Sequence, residues 1–191
     1  LVVTREVNDL REEARWLCNL GKSYRNLGEF KQAIKFLEQA INITDKIGDH
    51  VGKAYAIGTL GWVYRSVGQL EKSIGLYKQG LKISRYISNE KEEANQLGRL
   101  GVAYFDLGQV EQAINFLEQA LVLVHKIGDR RYEGIWLGYL ARACRNLGQI
   151  DQAIELHMQD LEITREVNYR PGEGVVLGNL GICSYISGKV K

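Results

Sequence analysis

The sequence predicts an all-α fold, a right-handed superhelical solenoid of antiparallel helix hairpins, on three observations. A set of marker residues recurs every 40 positions. Between the markers, apolar residues fall at helical spacing. Pro171 is the only proline, and Ala, Leu, Glu, Gln and Lys, all good helix formers, fill the segments between turns. A period of this size marks stacked two-helix units, none of which can bury both apolar faces alone.

The first marker is Leu20-Gly21, repeated as Leu60-Gly61, Leu100-Gly101, Leu140-Ala141 and Leu180-Gly181. Leu17, Leu20 and Tyr24 share one helical face around it, which predicts first helices near 12–26, 52–66, 92–106, 132–146 and 172–186. The second marker is Gly28, Gly68, Gly108, Gly148 and Gly188, where a left-handed C-terminal cap is accessible to a residue without Cβ. Four second helices follow, opened by Phe30-Lys-Gln-Ala-Ile, Leu70-Glu-Lys-Ser-Ile, Val110-Glu-Gln-Ala-Ile and Ile150-Asp-Gln-Ala-Ile, and are expected near 30–47, 70–87, 110–127 and 150–167. The pairs Gly48-Asp49, Ser88-Asn89, Gly128-Asp129 and Asn168-Tyr169 separate one hairpin from the next. Small residues at Ala33, Ser73, Ala113 and Ala153, and again at Ala40, Gly80 and Ala120, permit close helix contacts. Asp160 breaks the second series and is expected to loosen its hairpin or reach solvent. Gly58, Gly98, Gly138 and Gly178 lie inside first helices, either for close packing between neighbouring first helices or to leave room for a ligand backbone.

Residues 1–191 thus divide into repeats at 12–51, 52–91, 92–131 and 132–171, flanked by residues 1–11 and a half repeat at 172–191. Leu1-Val-Val-Thr-Arg-Glu-Val-Asn8 copies Leu161-Glu-Ile-Thr-Arg-Glu-Val-Asn168, so 1–11 reads as the end of a preceding second helix and the chain as a segment of a longer array.

The residues around these markers resemble the tetratricopeptide repeat. Leu17-x2-Leu20-Gly21-x2-Tyr24 with Ala33-x3-Leu37-x2-Ala40 fits its pattern, as does Leu97-x2-Leu100-Gly101-x2-Tyr104 with Ala113-x3-Leu117-x2-Ala120. The family's common repeat has roughly 34 residues and a proline near its end, whereas here Asp45, Arg85, His125 and Arg165 stand at that offset. Six further residues and no proline imply a longer second helix, as in kinesin light chains, Pins-type adaptors and bacterial arrays attached to signalling enzymes. The resemblance implies a concave groove lined by first helices that holds peptide segments of partners.

Carrying the family's groove positions over selects Arg15, Asn19, Lys22 and Arg25 in the first hairpin, with Cys18 on the same set of offsets. Tyr55, Thr59, Trp62 and Arg65 follow in the second, Asn95, Arg99 and Phe105 in the third, Tyr139, Arg142 and Arg145 in the fourth, and Asn179 in the half repeat. The thirty groove offsets hold seven basic residues and one acid, Asp106, for a net +6, against 18 basic and 22 acidic residues elsewhere, a net −4. Arginine forks bind carboxylates bidentately and aromatic residues supply apolar anchors, so the expected ligand is an extended segment with acidic and hydrophobic side chains. The alternative is that these arginines pair with acids on adjacent helices.

Other chemistry finds little footing. The charges, 25 basic against 23 acidic, nearly balance, which disfavours a nucleic-acid role for the basic groove. No apolar run approaches the ~20 residues of a membrane span. Cys18, Cys144 and Cys183 lack metal-ligand spacing and read as buried small hydrophobes in a reducing, cytoplasmic setting. His50, His125 and His157 share no face, so no metal site or catalytic dyad is expected, and each reads as a satisfied or exposed histidine. The chain is therefore expected to be a binding scaffold or sensor module, not an enzyme, with no cofactor. End-to-end self-association is the competing role.

Overall fold

The computed structural model describes residues 2–188 and contains, among them, nine helices and no strand. They are α1 (Val2–Asn26), α2 (Phe30–Lys46), α3 (His50–Ser66), α4 (Leu70–Tyr86), α5 (Glu90–Asp106), α6 (Val110–Ile127), α7 (Arg130–Asn146), α8 (Ile150–Glu166) and α9 (Arg170–Ile186). From α2 onward a helix begins every 20 residues, so the 40-residue period is two equal halves.

The second helices end within a residue of the predicted bounds, and the first helices are longer than predicted. Second helices α2, α4 and α8 have 17 residues, as do first helices α3, α5, α7 and α9, and α6 has 18. The cause is helix capping. Asp49 accepts from Gly52 N at 2.9 Å, Asn89 from Glu92 N at 3.0 Å and Asp129 from Tyr132 N at 3.3 Å, so α3, α5 and α7 start two residues before their apolar pattern does. At the other end Gly28, at φ 78°, closes α1 with Glu29 N donating to Tyr24 O at 2.9 Å, and Gly68, Gly108 and Gly148 copy it. Between hairpins, Ser88 and Asn168 adopt φ of 52° and 54° where Gly48 and Gly128 stand in the other turns. A second difference lies at the N-terminal end, where no break separates residues 2–11 from the first hairpin and α1 runs unbroken from Val2 to Asn26.

Two compact units make up the chain, residues 1–99 and 100–191. In the first, α1 packs on α2, α2 on α3, α3 on α4, and first helix α1 meets first helix α3. Its core joins Cys18, Ala33, Leu37, Ala40, Ala56, Leu60 and Val63, all buried. Marker glycines let second-helix side chains in. A Cβ at Gly21 would stand 2.6 Å from Leu37 Cγ, and one at Gly61 would stand 2.7 Å from the Tyr77 ring. The second unit repeats the device, Leu117 Cγ lying 2.6 Å from where a Gly101 Cβ would be, with Tyr104 stacked on Phe116 at 5.3 Å. There α7 packs on α6 and α8, and α8 on α9. Among the described residues no helix is long and apolar enough to cross a membrane.

Asp160 neither loosens the hairpin nor reaches solvent. It is 7% exposed, accepts from Thr164 Oγ1 at 3.2 Å, and occupies the space that glycine leaves at position 138, its Oδ2 standing 2.8 Å from a Cβ there. Burial pushes its carboxyl up to about 6.

Candidate functional site

In the first unit the face carrying the selected residues is built by α1, α3 and the first turns of α5. Arg15 is exposed and pairs with Glu12 on its own helix. Asn19 is exposed and bonds nothing on a neighbouring helix that would fix it. Lys22 and Arg25 are half-buried and turn toward α3, where Lys22 donates to the Tyr55 hydroxyl and lies 4.6 Å from its ring centroid. The Arg25 guanidinium stacks 3.0 Å from the Trp62 ring centroid and donates to Asn26 Oδ1 at 2.5 Å. Cations resting on aromatic faces are held there by the ring quadrupole.

Arg99 lies across α3. Its guanidinium and the Gln96 amide fill the space over Gly58, so that any Cβ at that position would collide with both. Gln96, fully buried, donates to Ala54 O at 3.2 Å and to Glu92 Oε1 at 2.6 Å, while Arg99 Nη1 stands 3.7 Å from the same Glu92 oxygen. The missing side chain at Gly58 therefore serves contact with the next first helix, and the contact brings a cation with it. Sequence spacing alone missed Glu92 and Gln96; their position one and two turns before Arg99 on α5 is the signal that would have found them.

Burial first, and like charges second, set the electrostatics of this face. Burial lowers the Lys22 ammonium below its ordinary value, and Arg99 and Arg25 push in the same direction. Burial likewise lowers Arg25, with Arg99 and Arg65 adding to it and the buried phenol of Tyr77 opposing. Tyr77 is itself raised by burial, while Arg99, Arg65 and Arg25 pull it back.

Two of the selected residues are corrected. Thr59 is fully buried and its hydroxyl bonds Tyr55 O at 2.9 Å. Asn95 is 7% exposed beside Glu92. Close approach of neighbouring first helices takes both side chains out of reach of a ligand. Cys18 is also buried, its thiol pushed up to about 11 by burial and thus no nucleophile.

In the second unit Arg142 lies 5.0 Å from the Phe105 ring centroid and 5.2 Å from that of Tyr139. Arg145 is half-buried, with Nη1 lacking a hydrogen-bond partner among the described residues. Asn179 is half-buried on α9, with Val175, Ile182, Tyr185 and Ile186 exposed around it. Arg15 and Arg99 each face a carboxylate of their own helix, Glu12 and Glu92, rather than an acid of an adjacent helix, whereas Lys22, Arg25 and Arg142 rest on aromatic rings.

The three histidines separate. His50 is exposed and meets Tyr86 edge-on at 5.9 Å, and His125 Nδ1 lies 2.9 Å from Glu133 Oε1. His157 corrects the expectation, because it is fully buried with both ring nitrogens unpartnered. Among the described residues no cluster of three or more His, Cys, Asp or Glu side chains could hold a metal ion.

Comparison with known proteins fits this arrangement. Among solved structures, a putative kinesin light chain from Podosopora anserina with nearly identical TPR-like repeats superposes at a TM-score of 0.75, with 23% identity over 94% of this chain and 89% of that one. BtubC (BKLC) from P. vanneervenii gives 0.80 at 18% identity over 96% and 82%. A STAND signal-transduction ATPase with a tetratricopeptide repeat sensor, from Pyrococcus horikoshii, gives 0.78 at 17% identity over 92% of this chain and 28% of that one. These likenesses show a shared fold. No curated protein matches. The model of the tetratricopeptide repeat matches residues 12–85 and 92–166, most of the chain, and with the hairpins and marker residues described above, the chain belongs to the tetratricopeptide repeat family.

Proposed function

We propose that this chain is a protein- or peptide-binding scaffold or sensor module that holds an extended segment, acidic and partly hydrophobic, against its first-helix face. The observation that carries it is the gathering of cations on this face, where Arg99 and Arg25 add to the lowering that burial causes at Lys22, and Arg99 and Arg65 to that at Arg25. Holding like charges together in a half-buried place costs free energy that an anionic ligand relieves. Glu92, the carboxylate that acts on Lys22, already accepts from Gln96. Trp62 and Tyr55 beside the cations supply apolar contact. Members of this family are repeat scaffolds of protein–protein interaction, and the sensor array of the STAND relative supports the sensor form of the reading.

A calorimetric titration tests it with two peptides of equal length, Asp and Glu alternating with Leu and Phe in one and Lys replacing the acids in the other. The acidic peptide alone should bind, and more weakly as salt rises. Equal binding of both peptides, or tighter binding of single-stranded RNA in a third arm, would sink the reading.

A second reading, self-association, rests on α9. Leu177 is 46% exposed where its equivalent Leu137 is 6%, and a Cβ at Gly181 would meet nothing, unlike those at Gly21, Gly61 and Gly101. Sedimentation showing growth with concentration would favour it.

A further inference from the structure

The exposed stripes of the second helices carry a charge pattern for which neither the fold nor the ligand face above supplies a reason. A solvated stripe asks only for polar residues, and either sign of charge serves. Yet the two units differ. On α4 the exposed charges are Lys72, Lys78, Lys82 and Arg85 against Glu71, a net +3. On α8, its equivalent two 40-residue steps on, they are Asp151, Glu155, Glu162 and Glu166 against Arg165, a net −3. The other second helices share these signs more weakly. Lys31, Lys35 and Lys46 against Glu38 and Asp45 leave α2 at +1, and Lys126 against Glu111 and Glu118 leaves α6 at −1.

Helical spacing gathers the charges of α4 and α8 on matching faces, since Lys78, Lys82 and Tyr86 follow one another at four-residue steps, as do Met158, Glu162 and Glu166. The ends of both stripes are tied to neighbouring helices, Arg85 to Glu93 at 2.7 Å and Glu166 to Arg130 at 2.6 Å. The middle turns therefore present the charge, Lys78 and Lys82 on one helix and Glu155 and Glu162 on the other. Each stripe also exposes one large apolar side chain, Tyr86 at 80% and Met158 at 55%. A thioether against an aromatic ring is a favourable contact.

We propose that the basic second-helix face of the first unit, centred on α4, docks the acidic second-helix face of the second unit, centred on α8, of a second copy of this chain. Charge complementarity names the occupant, because the same chain carries the opposite sign in equal amount on an equivalent helix. Different patches on the two copies make a head-to-tail contact, which extends from copy to copy into a ring or a filament. Exposed ion pairs contribute little each, so the contact is weak, sensitive to salt and oriented by charge. It uses none of the Lys22, Arg25, Arg65 and Arg99 face and nothing of α9, so each of the three can fail alone.

Sedimentation velocity of the whole chain over a range of concentration tests it, at about 20 mM and about 500 mM salt, which differ several-fold in screening length. The sedimentation coefficient should rise with concentration at low salt and stay at the monomer value at high salt. Two charge reversals, Lys78→Glu with Lys82→Glu and Glu155→Lys with Glu162→Lys, should each weaken the association at least tenfold. An equimolar mixture of the two variants should regain it, since the unaltered α8 of one meets the unaltered α4 of the other, and that recovery also shows that both are folded. The proposal is overturned if the natural protein stays monomeric at low salt up to about 1 mM, where contacts of millimolar affinity register. It is equally overturned if neither reversal weakens the association, if the mixture does not regain it, or if Leu177→Asn on α9 abolishes it while the reversals do not.

Discussion

Helices α4 and α8 occupy equivalent places in the two units, yet at the position that carries leucine in α2 and α6 one has Tyr77 and the other His157. The difference teaches what a solenoid core tolerates. A phenol buried against Gly61 keeps most of its surface apolar and carries a single hydroxyl. An imidazole carries two polar nitrogens on a small ring, and at His157 both go unmatched. Asp160, in the series of Ala40, Gly80 and Ala120, adds a second buried ionisable group to the same helix. The fourth hairpin therefore buries two ionisable groups where the first and third bury leucine and alanine.

The sharpest way to break this comparison is through pH. His157 has a folded-state value of about 4 against an ordinary 6.5, so the unfolded chain takes the proton first and stability is lost as pH falls from about 6.5 to 4. Asp160 has a folded-state value of about 6 against 3.8, so its effect has the opposite sign and stability is gained as pH falls through the window from about 6 to 3.8. Each effect is on the order of 3 kcal/mol, and in the natural protein they nearly cancel. Urea melts should show Asp160→Ala losing stability on acidification and the Ala141→Gly, His157→Leu protein gaining it. Parallel curves for both variants would refute the burial of these two groups.

A smaller effect separates the ligand faces. Arg25→Gln or Arg99→Gln should weaken an acidic peptide roughly tenfold, about 1.4 kcal/mol, with a shallower salt dependence and an unchanged melting curve. Gly58→Ala should weaken it less, by lifting Arg99 and Gln96 from α3, and calorimetry reads the order of the three.

The smallest effects compare glycines. Gly178 faces open space, so Gly178→Ala should stabilise by up to about 1 kcal/mol through helix propensity alone. Ser88→Gly should stabilise by about 0.5–1 kcal/mol, because Ser88 holds a left-handed conformation that its neighbours in the series reach with Gly48 and Gly128. Thermal melts distinguish both from zero.

The hairpins were legible because each turn carries its own chemical mark, and Gly28 or Gly68 needs no tertiary context to cap a helix. Helix starts were less so. Asp49, Asn89 and Asp129 read as turn residues until their side chains are seen to accept from the first turn, although an Asp or Asn just before an apolar run is itself a start signal. The basic character of the first-helix face was in the spacing of Lys22, Arg25, Arg65 and Arg99. That Thr59 and Asn95 drop out of it was not, because the separation of neighbouring first helices is set by packing around Gly58. His157 was misjudged from its residue type, yet its alignment with Leu37 and Leu117 already placed it inside. Sequence register cannot say that its nitrogens would lack partners, which depends on the side chains of α7 and α9.

The central claim is that partners dock on the first-helix face. Chemical-shift mapping of a bound acidic, leucine-containing peptide tests it most directly. The account predicts perturbed signals at Lys22, Arg25, Trp62, Arg65 and Arg99, with the exposed second-helix residues Lys35, Glu38, Lys78 and Lys82 unmoved. Perturbation confined to those second-helix positions would contradict it.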